Sequence, residues 1–279
     1  MVRNLHSTLE RSLNTGEFRA EQARSKVELF QGLPDREIGL ILAAAKSRRR
    51  VAKSVITHQG EPADHLYLLW TGRARYFFET HNGKKLILRW ITPGDIFGGA
   101  ALVWRPSTYI VSAEAVRDSI LLDWDGHTIR ELARRFPQIF ENAIFLAADY
   151  ISWYVAAHAA LTSQTAVERL ANVLAELAST IGERISGGVK LDVTNEELAN
   201  CVNITPHTTS RIISAWQKSG VLRKSRGRLV LRSPEKLFVP VAHTALPASR
   251  SSPIPQTSTD KTPAKKSSAD TWNQVRIGI

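Results

Sequence analysis

The chain has one cysteine, Cys201, and one methionine among its 279 residues. A single cysteine excludes an internal disulfide framework and any cysteine-built metal or iron–sulfur cluster within one chain. No stretch approaches the roughly 20 apolar residues that span a bilayer. The N-terminus, MVRNLHSTLERSLNTGEFRAEQ, lacks the apolar core of a secretory signal. The expected location is therefore the cytoplasm, with no membrane partner. There is no phosphate-binding glycine loop, no cluster of metal ligands and no nucleophile–base pair, so no catalytic residue and no metal site is assigned. The reading is of a protein that is not an enzyme. Acid is also short. Lys and Arg number 37 against 26 Asp and Glu, a net charge of +11 that favours a polyanionic partner.

The length allows more than one domain with its own core. Residues 1–26 read as a polar extension. From 27 to 135 short apolar segments alternate with turn signals, the pattern of a compact β-roll or barrel. Asn82-Gly83, between RARYFFET and KKLILRWI, marks a hairpin in which both central positions tolerate positive φ. From about Phe136 to Leu161 one long helix carries two neighbouring apolar seams. Ile139, Ala143, Leu146, Tyr150, Trp153, Ala157 and Ala160 form the first. Phe140, Ile144, Ala147, Ile151, Tyr154, His158 and Leu161 form the second. A stripe this wide exceeds one contact. One part is expected to pack on the β-domain and the other on a second subunit, with Leu146, Tyr150, Trp153 and Ala157 assigned to dimerisation. Residues 136–163 thus make the dimerisation helix and hinge, and 164–240 the next domain. Residues 241–279, rich in Ser, Pro, Thr and Lys, read as a disordered basic tail.

Within 164–240, VTNEELANCVNITPHTTSRIISAWQKSGVL has helix-turn-helix spacing. Thr165 with Glu168, and Thr194 with Glu197, each form a T-x-x-E capping box. Asn203 suits a left-handed turn, Thr205 an N-cap and Pro206 a first helical position. The second helix then offers Thr205, His207, Thr208, Ser210 and Arg211 at its outer N-terminal part, where a recognition helix reads base edges. Lys218, Arg223, Lys224, Arg226 and Arg228 follow it and suit phosphate neutralisation. VLRKSRGRLVLR reads as the two strands of a wing. The partner implied is double-stranded DNA.

A β-roll, a long helix and a winged helix-turn-helix, in that order, resemble the CRP/FNR family of bacterial transcription regulators over about residues 27–238. HQGEPADHLYLLWTGRARYF, PGDIFGGAAL and ELANCVNITPHTTSRIISAWQKSGVL carry the resemblance. It implies an α+β fold with a cyclic-nucleotide-binding-like roll, a homodimer on a pseudo-palindromic site, and RNA polymerase as a further partner if the protein activates. It also implies that Arg211 stands at a guanine-reading position. His207 stands where many relatives carry a base-reading glutamate. Thr209 occupies a position usually apolar in such motifs.

The resemblance places an effector pocket around Gly98, Gly99, Ala100, Arg105, Ser107 and Thr108. A buried cyclic phosphate needs a guanidinium or several N–H donors. Yet Gly99 stands where the ribose-binding glutamate belongs, and Ser107 and Thr108 where the phosphate-binding arginine and its neighbour belong. Cyclic AMP is therefore not expected as the ligand. An iron–sulfur cluster lacks its cysteines, and none of His58, His65, His81, His127 and His158 marks a haem site. The cofactor is unassigned. The alternatives are a regulator that binds DNA without any effector, a non-specific nucleoid-associated basic protein, and an enzyme or regulatory subunit that uses the roll as a cyclic-nucleotide domain.

Overall fold

A computed structural model describes residues 27–103, 105, 107–225 and 228–238. The expected extension at 1–26 and tail at 241–279 lie outside the described residues. A 3-10 turn, Glu28–Phe30, leads into helix α1, Asp35–Ala43. Six strands follow: β1 (Lys46–Arg50), β2 (Val55–Thr57), β3 (His65–Glu79), β4 (Lys85–Ile91), β5 (Ile96–Phe97) and β6 (Ser112–Asp125). They form one antiparallel sheet in the order β1-β6-β3-β4, with β2 on β6 and β5 on β3. β3 and β6 are long because register shifts near Thr71 and Arg73 let them bend while staying paired. Gly72 makes this possible. Its φ is +98°, and a Cβ there would lie 2.2 Å from the Ser119 hydroxyl.

The β3–β4 hairpin forms where Asn82-Gly83 predicts, but only Gly83 takes positive φ. Gly83 N–H donates to Thr80 C=O, and Thr80 N–H to Lys84 C=O. The connection is thus a longer loop with one left-handed glycine, not a two-residue turn. Helices α1 and α2 (Gly126–Arg135) were not anticipated in the sequence. Asp125 caps α2 by accepting from Thr128 N–H, and this bond holds its carboxyl below the usual range.

The long helix, α3, spans Gln138–Ser163. It is the described helix long and apolar enough to cross a membrane by length and composition alone. Its two seams separate cleanly. The first, from Ile139 through Leu146, Tyr150 and Trp153 to Ala160, is buried or half-buried; the second is exposed throughout. Ile139 lies in the core with Leu29, Phe30, Ile38, Leu66 and Trp124, and Leu146 packs against it. The Tyr150 hydroxyl donates to Ile96 C=O, and its ring meets Tyr76 edge-on. Leu146 and Tyr150, assigned from the sequence to the subunit contact, dock α3 on its own β-roll. Trp153 and Ala157 continue that half-buried seam.

After the hinge come α4 (Ala166–Thr180), β7 (Glu183–Ile185), β8 (Gly188–Leu191), α5 (Asn195–Val202), α6 (Pro206–Lys218), β9 (Leu222–Ser225) and β10 (Arg228–Leu231). The strands make a second antiparallel sheet, β7-β8-β10-β9. The helices and this sheet close over Leu170, Leu174, Leu177, Leu198, Val202, Ile213, Trp216, Leu229 and Leu231. Trp90 of β4 belongs to the same cluster, so the winged helix is packed against the roll.

Candidate nucleic-acid interface

The helix-turn-helix is built from local signals. Thr194 Oγ1 accepts from Glu197 N–H at 3.1 Å, while Glu197 Oε2 accepts from Thr194 N–H at 2.8 Å. Thr165 and Glu168 do the same at the start of α4, and these bonds lower the Glu168 carboxyl. α5 ends at Asn203, whose φ of +52° turns the chain sharply. α6 then starts with Thr205 as N-cap, accepting from Thr208 N–H at 3.1 Å, and Pro206 in its first turn.

Ile213 and Trp216 anchor the inner face of α6. Thr209 is fully buried beside them, which its type did not suggest. Its hydroxyl is satisfied by donating to Thr205 C=O, so a threonine serves at an otherwise apolar position. The outer face presents Thr205, His207, Arg211 and Lys218 to solvent, with Thr208 and Ser210 half-buried. Ser214 and Gln217 are also exposed there and were missed. The i, i+3 spacing from Arg211 and Ser214 was the available signal. The Thr208 hydroxyl lies 2.9 Å from that of Thr205, so it completes the cap.

The wing brings Arg223 and Arg228 to the surface with Lys224 half-buried; Arg226 lies outside the described residues. Arg228, expected as a phosphate contact, also faces an acid of its own chain. Its Nε stands 3.5 Å from Asp192 Oδ1, and Asp192 also pairs with Arg117 of the roll. Arg211, by contrast, pairs with no described carboxylate.

Cys201 lies on α5, packed on the winged-helix core, and burial pushes its thiol up to about 12. It is a packing side chain and not an activated nucleophile.

In the roll, Gly98 has a φ of +80°, and a Cβ there would lie 2.4 Å from His65 C=O, so both backbone and space call for glycine. Gly99 faces open space, while Arg105, Ser107 and Thr108 are exposed and Ala100 is half-buried on the roll's inner cluster. Ser107 C=O accepts from Ala63 N–H, and Tyr109 pairs its backbone with Gly60 and Glu61. The Tyr109 hydroxyl accepts from His65 N–H at 3.1 Å and donates to His65 C=O at 3.0 Å. Burial raises the Tyr109 phenol above its ordinary value.

An aromatic file continues across the roll. Tyr67 stacks on Phe97 at 5.0 Å, Phe97 meets Tyr76 edge-on, and Tyr76 meets Tyr150. Desolvation raises the Tyr76 phenol well above its usual value and that of Tyr150 to about 12, so both stay neutral. The expected pocket residues thus share one region but offer neither a carboxylate at 99 nor a guanidinium at 107. They do not fit a cyclic nucleotide held through its ribose and phosphate. Among the described residues no three His, Cys, Asp or Glu side chains converge on a metal site. His158 lies on the exposed seam of α3.

The cyclic nucleotide-binding domain family matches residues 48–136, and the Crp-like helix-turn-helix domain family matches residues 168–238. A relative, the cyclic AMP receptor protein of Thermus thermophilus, is 28% identical over 204 residues, covering 73% of this chain and 92% of that protein. A solved CRP/FNR-family transcriptional regulator, also of Thermus thermophilus, is similar with a TM-score of 0.57 and 27% identity, covering 69% of this chain and 96% of that one. The c-di-GMP responsive global regulator of Xanthomonas campestris shares the fold, with a TM-score of 0.64 at 20% identity over 71% of this chain and 99% of that one.

Proposed function

The chain belongs to the CRP/FNR family of transcription regulators, and from that premise we propose that it acts as a homodimer reading a pseudo-palindromic DNA site. The observation that carries the DNA reading is the outer face of α6. There the exposed Arg211 sits on a helix whose N-terminus is capped and whose inner face is locked by Ile213 and Trp216. Arg211 is the base-reading side chain, by a bidentate contact to guanine. His207 and Ser210 flank it, and Lys218, Arg223 and Lys224 supply phosphate contacts.

The dimer forms through the second seam of α3. Phe140, Ile144, Ile151, Tyr154 and Leu161 are exposed along one stripe of a helix whose other stripe packs on its own roll from Ile139 to Tyr150. An exposed apolar surface of that length fits a second copy of the same helix. Such a two-fold places the two α6 helices in successive major grooves, with half-sites roughly 34 Å apart. The protein works in the cytoplasm, and RNA polymerase is the further partner if it activates.

DNA binding does not require cyclic AMP. Gly99 and Ser107 leave the ribose and phosphate without the charged partners that the family's positions would supply. Selection of bound sites from random duplex DNA, with no small molecule added, tests the proposal. A two-fold symmetric consensus is expected. Binding that is uniform across sequences would refute it and favour a non-specific basic protein.

A further inference from the structure

The outward face of the roll carries arginines that composition alone would leave to solvent. Sheet register puts Arg75 of β3 opposite Trp90 on β4 and Glu114 on β6, and Arg73 opposite Arg117. Both Arg73 and Arg75 hold their guanidinium groups over the Trp90 ring, at 5.9 and 5.7 Å. The winged helix covers this face. Arg75 Nε donates to Glu114 Oε1 at 2.6 Å, and Arg75 Nη1 donates to Glu197 Oε1 at 2.7 Å.

Glu197 is the capping-box glutamate of α5, and its other oxygen accepts from Thr194 N–H. One carboxylate therefore starts the helix-turn-helix with one oxygen and ties it to the roll with the other. Arg117 pairs with Asp192, Arg73 Nη2 donates to Ile181 C=O at 3.3 Å, and Lys84 Nζ donates to Asn203 Oδ1 at 2.9 Å.

Apart from this face, with its Trp90 packing, α4 is joined to α3 through Gln164, whose C=O accepts from Arg169 Nη1 at 2.7 Å and whose side chain accepts from Asn172 Nδ2 at 2.9 Å, with the backbone between Ser163 and Gln164 carrying the rest of the link. A few soft dihedrals do not fix an orientation. The roll, however, is docked on α3 through Tyr150 and Leu146. The path from α3 through the roll and Arg75 to α5 is thus a second, noncovalent brace. Its central side chain suits the task, because a planar guanidinium engages two carboxylates in one fixed geometry and, at 19% side-chain exposure, is only partly screened.

We propose that Arg75 is a positioning residue for DNA recognition: it sets the orientation of each reading head relative to the dimer helix, and so the half-site spacing the dimer accepts. The inference rests on the dimeric DNA reading above. Arg75 touches no base in this scheme; it acts through Glu197.

The test uses the full chain and the selected site in three forms: one half-site, the full site, and the full site with its spacer lengthened by about two base pairs, which also rotates one half-site around the DNA axis. For Arg75→Gln, half-site affinity is expected within about twofold of wild type, while the extra affinity of the full site falls about tenfold. The preference for the selected spacing over the longer one falls at least about threefold, and Arg75→Lys, which reaches one carboxylate at a time, recovers part of it. Arg117→Gln, a milder lesion in the same face, moves spacing preference in the same direction.

Unchanged spacing preference in both Gln variants overturns the inference. So does an equal loss on half-site and full site, which means only a weakened domain. Absence of any sequence preference in the wild type is a different failure, because it removes the DNA reading itself.

Discussion

Shortening the exposed seam of α3 tests the dimer most directly. Ile144 and Ile151 stand seven residues apart on that seam and are 56% and 64% exposed. Fully burying an isoleucine side chain is worth about 1.5–3 kcal/mol. Covering the exposed share, less the Cβ that alanine keeps, leaves about 1 kcal/mol per side chain per subunit. Symmetry doubles every loss. Ile151→Ala is then expected to cost about 2 kcal/mol of association, or roughly 30-fold in the dimer dissociation constant. Ile144→Ala with Ile151→Ala costs about 4 kcal/mol, near 1000-fold.

Sedimentation equilibrium measures the constant, and full-site DNA binding at nanomolar protein should fall with it while half-site binding holds. Tyr150→Phe is the control, since it removes a 3.3 Å bond within the subunit and leaves the exposed seam intact. A double variant that dimerises within about threefold of wild type would refute the seam assignment. Equal dissociation by Tyr150→Phe would refute the division of labour between the seams.

Arg211→Ala should lose about 1–3 kcal/mol on the selected site and relax selectivity at one base pair per half-site, read by competition among single-base variants. Thr205→Ala removes the acceptor for Thr208 N–H and should destabilise the winged helix by about 1 kcal/mol, seen as a lower unfolding midpoint. Cys201 holds its proton in the folded state up to about pH 12, whereas the unfolded thiol releases it near 9. Its contribution is therefore intact below about pH 9 and falls as pH rises towards 12. Wild type should lose more stability than Cys201→Ala between pH 8 and 10.5, and native protein at pH 8 should resist thiol reagents. Titration calorimetry with cyclic AMP should show no saturable heat at concentrations up to about 1 mM, the affinity range of a ligand lacking its charged partners. A micromolar isotherm would overturn the pocket argument.

Legibility followed the range of the interactions involved. Thr194 with Glu197, Thr165 with Glu168, Asn203, and Thr205 with Pro206 act within four residues, so their spacing in the sequence already states their geometry. The gap at Gly99 was equally plain, because a carboxylate absent from that position is absent in any conformation, whereas a substitute for the arginine at 107 depended on where the loop places Arg105, which is exposed. Helix α2 is hidden in the sequence although Asp125 caps it through Thr128 N–H, since the apolar run SILLDWD carries the strand pattern up to its first residue. Thr209 looked out of place until its hydroxyl was seen bonded to Thr205 C=O.

The sequence by itself determined the helix-turn-helix, the order of roll, long helix and winged helix, and the absence of the usual nucleotide partners. It did so because these depend on periodicity and near neighbours. Only the tertiary structure decided which seam of α3 meets the roll, because both seams are apolar and have the same period. Only the tertiary structure joined Arg75 to Glu197 across 122 positions. An ion pair between distant elements exists only once the sheet register and the packing of α5 on β4 bring the charges together, and no local pattern encodes that meeting.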